Sequence, residues 1–238
     1  MSMISKTKVP ERVDDVSVVK YYEDNGNKVL DGGIQTIGYR YDHVEKRKMQ
    51  MPSGKEFTNN VTLSQPSSEV LTLFRDGDKW FVVMGKQSRS PYVVEVEGKL
   101  YSKIFLEQAA GLVEENQDFQ SAAIAEGCQE LGSKLVYLTE LIAPKLYRHV
   151  SYTDEMSKLY LAVTEKLGEQ QLDDNENINV DIIPLEEARR EFCDYINGRK
   201  TSFFGFDIPD ITMLSMTLFF WKLDTGEIDL NNLDNNLL

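Results

Sequence analysis

Two carboxylates four residues apart on a helix stand side by side, because side chains at i and i+4 share one face. Glu126 and Glu130 have that spacing within a helical pattern running from Asp118 to Leu131, and Gln129 shares their neighbourhood. Two adjacent negative charges repel unless water or a cation screens them. A magnesium ion, which takes oxygen ligands and keeps several waters, would relieve the repulsion. A solvated helix face is the plainer role for such a pair. Other chemistries have fewer parts. Cys128 and Cys193 are the only cysteines, and His43 and His149 the only histidines. They make no disulfide framework, zinc site or histidine-rich metal centre. No Ser/His/Asp or Cys/His nucleophile arrangement is evident, and Cys128 reads as a packing residue.

The helix needs a scaffold. Phe119, Ala122 and Ala123 can face a core, and Gly132 is a C-terminal stop. Gly127 weakens a helix by about 1 kcal/mol relative to Ala, which close packing against a neighbour would explain. Upstream, Glu69–Phe74 and Lys79–Gly85 form a hairpin around Asp76-Gly77-Asp78, and Tyr92–Val96 and Lys99–Leu106 form another around Gly98. Downstream, strands are expected at Leu135–Ile142, Lys158–Val163 and Val180–Ile183, with a polar loop over Glu165–Asn179. Helices follow at Leu185–Ile196 and Ile208–Trp221. Before all of these, Val16–Tyr22, Gly33–Tyr41 and Val44–Met51 read as short strands, with turn chemistry at Asp24-Asn25-Gly26-Asn27 and Met51-Pro52-Ser53-Gly54. The chain therefore divides into a β-rich N-terminal unit (1–64), a mixed domain (65–223) and an acidic tail (224–238) expected to be mobile. Strands mixed with a few helices indicate an α/β or α+β class around one core.

A length of 238 residues, 41% hydrophobic and 27% charged, suits a globular chain. No apolar stretch approaches the roughly 20 residues of a membrane helix, since Met213–Trp221 is broken by Ser215 and Thr217. Met1–Pro10 lacks the apolar core of a signal peptide, so the expected location is cytoplasmic. The net charge of −13 argues against nucleic acid or an anionic membrane as partner. A small phosphorylated ligand stays open, because a few local cations suffice for it.

The stretch Leu106 to Leu135 resembles a degenerate Nudix box, G-x5-E-x7-R-E-U-x-E-E-x-G-U, with U a bulky apolar residue. Gly111, Glu126, Glu130 and Gly132 match it. Gln117 stands in place of the first glutamate, Ala125 of the arginine and Gln129 of the first glutamate in the acidic pair. Gly127 and Ser133 replace apolar residues. The flanks resemble the ADP-ribose pyrophosphatases of that superfamily. Glu107-Gln108-Ala109-Ala110-Gly111 is similar to their E-x-P-A-G, Gln87-Ser88-Arg89-Ser90-Pro91 to Q-Y-R-x-P, and Ser151-Tyr152-Thr153-Asp154-Glu155 to G-F-S-D-E. Ile183-Pro184-Leu185-Glu186-Glu187-Ala188 is similar to V-P-L-x-E-A. The likeness spans residues 65–221, with the motifs in family order.

What the resemblance implies is a Nudix-like α/β/α sandwich with a mixed sheet, preceded by the β-rich unit, which such proteins use to form a homodimer. It implies hydrolysis of a nucleoside diphosphate linked to another group, ADP-ribose or another nucleotide sugar, by water attack on the pyrophosphate. Mg²⁺ or Mn²⁺ would be held by Glu126 and Glu130, with the Ala110 carbonyl and Gln129 as further oxygens. Gln87, Arg89 and Gly111 would bind substrate, Arg89 through its two-pronged donor fork. Glu155 would activate or orient the water. Tyr92, Phe105 and Tyr152 are candidate stacking surfaces, and His149 a candidate phosphate contact. The departures from the box leave a second reading open: an inactive Nudix domain that binds a nucleotide as sensor or scaffold.

Overall fold

A computed structural model describes residues 7–8, 43–50, 56–148, 155–173 and 176–233. Its strands are β1 (Thr7–Lys8), β2 (His43–Gln50), β3 (Glu56–Leu63), β4 (Ser67–Asp76), β5 (Lys79–Val96), β6 (Lys99–Glu107), β7 (Ala109–Leu112), β8 (Ser133–Glu140), β9 (Leu146–Tyr147), β10 (Met156–Leu167) and β11 (Ile178–Pro184). The helices among the described residues are α1 (Phe119–Leu131), α2 (Leu185–Ile196) and α3 (Asp210–Thr225).

β2 and β3 form a separate antiparallel hairpin, His43 opposite Leu63 and Gln50 opposite Glu56. The expected strands at Val16–Tyr22 and Gly33–Tyr41 lie outside the described residues. The other nine strands form one mixed sheet, in which β4 lies between β5 and β10. β10 runs parallel to β4, from Ser157 opposite Ser67 to Thr164 opposite Phe74. β5 and β7 pair antiparallel with opposite halves of β4. β5 continues through both expected hairpins as a single 18-residue strand, with a register shift between Arg89 and Val93.

The middle of β4 reads Val-Leu-Thr-Leu without polar alternation because both of its faces are covered. Val70, Val83, Tyr160 and Ala162 pack with Ala123 and Leu131 of α1 on one side. Leu71, Leu73, Val82, Met84, Leu161 and Val163 pack on the other side, in the cluster that includes α2 and α3. Neighbouring residues of one strand thus enter opposite cores, the period-two rule applied to a sheet between helical layers. This is an α/β/α sandwich with a mixed sheet, as expected.

α2 presents Leu185, Ala188 and Phe192 to the core at helical spacing, while Glu186 and Glu187 occupy the first turn, where the helix dipole favours acids. α3 begins after Pro209 and runs to Thr225, slightly later than its apolar pattern suggests. Pro209 supplies an extended entry residue there (φ −60°, ψ 154°). Of the tail, residues 224–233 are described, and Leu233 is buried in the larger core cluster.

Candidate functional site

α1 is the element that carries the paired glutamates, and its two ends are fixed by different means. Asp118 caps the N-terminus by accepting the Ser121 N–H at 2.7 Å. Gly132 ends the helix in the left-handed conformation at φ 63°, and a Cβ there would fall 2.5 Å from the Gly168 carbonyl oxygen. The polar segment after β10 completes the end. Gly168 N–H donates to Gly132 O at 2.7 Å, Gln171 N–H donates to Gln129 O at 2.9 Å, and the Gln170 amide donates to Glu130 O. Carbonyls that a helix end leaves without partners are satisfied in this way. The buried face of α1 includes three small residues, Ala122, Ala123 and Gly127, beside Glu130 and Leu131. A Cβ on Gly127 would lie 3.3 Å from Leu135 Cδ1, so the glycine lets the helix pack closely on β8.

That close approach sets Glu126 and Glu130 against β7. The Ala110 N–H donates to Glu130 Oε2 at 3.0 Å. Glu126 lies across Gly111: a Cβ on Gly111 would fall 1.8 Å from Glu126 Oε1 and 2.6 Å from Glu126 Cγ. Only a residue without a side chain leaves Glu126 this position. β7 in turn pairs with the start of β4, Ala110 opposite Glu69 and Gly111 opposite Ser68. Glu69 is 3% exposed in the centre of the sheet.

Two arginines hold carboxylates at this end of the molecule. Arg89 on β5 directs Nε and Nη2 to Glu107 Oε1, at 2.9 and 2.8 Å. Arg148, following β9, donates through Nη1 to Glu69 Oε1 at 3.4 Å and to Glu155 Oε1 at 3.2 Å, and through Nη2 to Asp210 Oδ1 at 3.4 Å. Gln108 donates to Glu69 Oε2 at 3.3 Å, while its own buried Oε1 has no hydrogen-bond partner among the described residues.

The electrostatic result is a set of carboxyls that hold their protons more tightly than usual. Burial pushes Glu69 upward, with Arg148 opposing it. Burial pushes Glu107 up to about 7 despite Arg89. Glu126 also rises to about 7, through burial first and then the charges of Glu176, Asp173, Glu114 and Glu69. Glu130 is held well above the usual carboxylate range by burial, and Glu126 and Glu107 add to the effect. The carboxylates outnumber the arginines, which is the situation a divalent cation relieves. The available donors are hard oxygens, the type that magnesium and manganese take. Among the described residues, no group of three or more His, Cys, Asp or Glu is already arranged to hold a metal ion.

The structure therefore brings together Glu126, Glu130, Ala110 and Gly111, and the arginine-held carboxylates surround them. Gln129 is exposed on α1. Gln87 is almost buried on β5, opposite Phe105 and Ile178, on the same side of the strand as Arg89 two residues on. Gln117 closes the turn before α1 by accepting the Glu114 N–H at 3.1 Å. Tyr92 meets Phe105 edge-on at 5.2 Å, and Tyr92 is exposed. His149 and Tyr152 lie outside the described residues.

The sequence motifs do not single out Glu69 or the bridging role of Arg148. A signal exists for the first. A glutamate inside a fully buried apolar strand must find a cation or keep its proton, so Glu69 in Ser-Glu-Val-Leu marks a site. Arg148 carries no such mark, because two of its three partners, Glu69 and Asp210, are far from it in the chain.

No protein-family profile matches the chain, and no curated protein matches it. Solved structures do. One, described as the crystal structure of an ADP compounds hydrolase, aligns with a TM-score of 0.56 over 81% of this chain and 92% of its own, at 17% identity. At that identity the likeness concerns the fold, and it agrees with the layered architecture described above.

Proposed function

We propose that the chain is a Nudix-type pyrophosphohydrolase that cleaves a nucleoside diphosphate linked to another group, ADP-ribose or a related nucleotide sugar. The observation that carries this reading is the placement of Glu126 and Glu130 against the Ala110–Gly111 backbone, amid more carboxylates than nearby arginines neutralise. The fold it shares with a hydrolase of ADP compounds supports the same reading.

Glu126 and Glu130 would hold Mg²⁺ or Mn²⁺, with the Ala110 carbonyl as a further oxygen and Gln129 able to turn in from the surface. When bound, such an ion neutralises pyrophosphate charge and lowers the cost of forming hydroxide. The protein's own groups do the rest. Arg89 is already oriented by Glu107, and with 40% of its side chain exposed it can present N–H groups to a phosphate oxygen. Gln87, beside it on the strand, contacts the nucleoside portion. Gly111 leaves room for Glu126 beside the β7 backbone, where the substrate would meet it. Glu155 accepts the proton of the attacking water. A homodimer formed through residues 1–64, in the cytoplasm, belongs to this reading.

A second reading is a nucleotide-binding domain without turnover. It is favoured by Gln129, which is exposed and uncharged where the box carries an acid, and by Ala125 in place of the arginine. A panel of nucleoside diphosphate sugars, assayed with Mg²⁺ and Mn²⁺ for product and for thermal shift, separates the two. Turnover supports the hydrolase, and a shift without turnover supports the binding domain. Neither response contradicts both.

A further inference from the structure

Arg148 is placed unlike the other cations of the site. Its guanidinium touches three acids from three parts of the fold: Glu69 on β4, Glu155 just before β10, and Asp210 at the start of α3. Its backbone N–H also donates to the Glu155 carbonyl at 3.0 Å. That bond extends the β9–β10 ladder, in which Tyr147 stands opposite Met156 and Leu146 opposite Ser157. Arg148 and Glu155 are therefore joined twice, once through backbone and once through side chain.

The third point of attachment makes the arrangement rigid. Glu69 lies in the central strand and is fixed on its other side by Gln108, and Ser67 Oγ contacts Ser157 Oγ at 2.7 Å just beside it. A solvent-exposed Arg–Glu pair is usually worth little, because both side chains are free to leave it. Here one partner is a buried carboxylate that loses its largest compensating interaction if the arginine departs, which holds the guanidinium in place. Arg148 thus transmits the position of the core strand to Glu155.

We propose that Arg148 is a positioning residue that fixes the Glu155 carboxylate beside the cluster, and that Glu69 is the buried anchor that orients Arg148. The proposal rests on the hydrolase reading for its kinetic consequence, but its structural content can be tested without turnover. A misplacement of about 1 Å in a reacting group can cost about 100-fold in rate.

The test uses the full chain labelled with ¹³C at glutamate carboxyls, with the Glu155 resonance assigned through Glu155→Gln. Glu69→Gln should shift the Glu155 resonance, and so should Arg148→Lys, whereas Glu140, paired with Lys158 at 2.7 Å on the surface, should stay put. An unmoved Glu155 resonance in Glu69→Gln overturns the proposal. If Arg148→Lys does not fold, Glu69→Gln, which keeps size and hydrogen-bonding capacity, still decides the matter. With ADP-ribose and Mg²⁺, Arg148→Lys should lower kcat about tenfold or more while KM stays within about twofold. A raised KM with unchanged kcat would overturn it, because Arg148 would then be a substrate ligand. Absence of turnover in the parent chain counts against the hydrolase reading alone, and the Glu155 resonance then decides for or against the positioning role of Arg148.

Discussion

Glu107 shows how one residue can make the stability of the whole chain depend on pH. Its carboxyl is raised to about 7 by burial, against the pull of Arg89, from an ordinary value of 4.5. A folded chain that holds this proton more tightly than the unfolded chain is favoured at low pH. The contribution is fully present below about pH 4.5, declines as pH rises, and is lost above about 7. The loss is on the order of 3 kcal/mol. Urea unfolding at a series of pH values should show this decline in the parent and a flatter profile in Glu107→Gln. Equal slopes would contradict the assignment. Gly111 gives a sharper case, because the atoms that an added methyl would strike are the end of the Glu126 side chain. Glu126 can swing aside at small cost to the fold, so Gly111→Ala should change stability by less than about 1 kcal/mol. It should nevertheless abolish the thermal stabilisation given by Mn²⁺, since Glu126 has been displaced. Retained stabilisation in a folded Gly111→Ala chain would contradict the geometry. The pairing of Glu126 with Glu130 is legible from their spacing. The ring of buried charge around them is not, because Glu69, Glu107 and Arg148 become neighbours only through sheet pairing.

Secondary structure is legible where periodicity and punctuation agree. Asp118 and Gly132 bracket α1 as cap and stop, and Leu185–Ile196 has an apolar stripe with acids in its first turn. Continuity is harder to read. Two expected strands merge into β5 because a register shift, rather than a turn, separates Arg89 from Val93. β7 leaves no mark in the sequence because Ala109-Ala110-Gly111-Leu112 has no β-branched residue and is a strand only by its pairing with β4. The polar segment following β10 has the composition of a plain loop, yet it supplies donors to the carbonyls that end α1. Gly132 is the point where helix and segment meet. Gly132→Ala would force a left-handed alanine and drive its Cβ against the Gly168 backbone, which cannot move as a side chain can. We expect a loss of at least about 1–2 kcal/mol, read by chemical denaturation. A loss no larger than that of an exposed surface substitution would show that the helix end is not held in this way.

The whole molecule is legible as a class, since strands mixed with helices imply a sheet between layers, but the parallel pairing of β10 with β4 follows from no local pattern. At this scale the proposed N-terminal unit matters most. A two-stranded hairpin such as β2–β3 is marginal alone, so residues 1–64 are expected to gain stability from a second copy of the chain. Light scattering at micromolar concentration should give a dimer for the full chain and a monomer for a chain beginning at Gln65. A monomeric full chain would contradict the assignment. The central claim is that α1 and β7 together build a divalent-cation site that serves hydrolysis of a nucleoside diphosphate. Its most direct test is the rate of ADP-ribose hydrolysis against Mg²⁺ and Mn²⁺ concentration in the parent, Glu126→Gln and Glu130→Gln. Cation-dependent turnover is expected in the parent, with a loss of about 100-fold or more in each variant. Turnover that is independent of the cation, or equal in all three proteins, would contradict the claim.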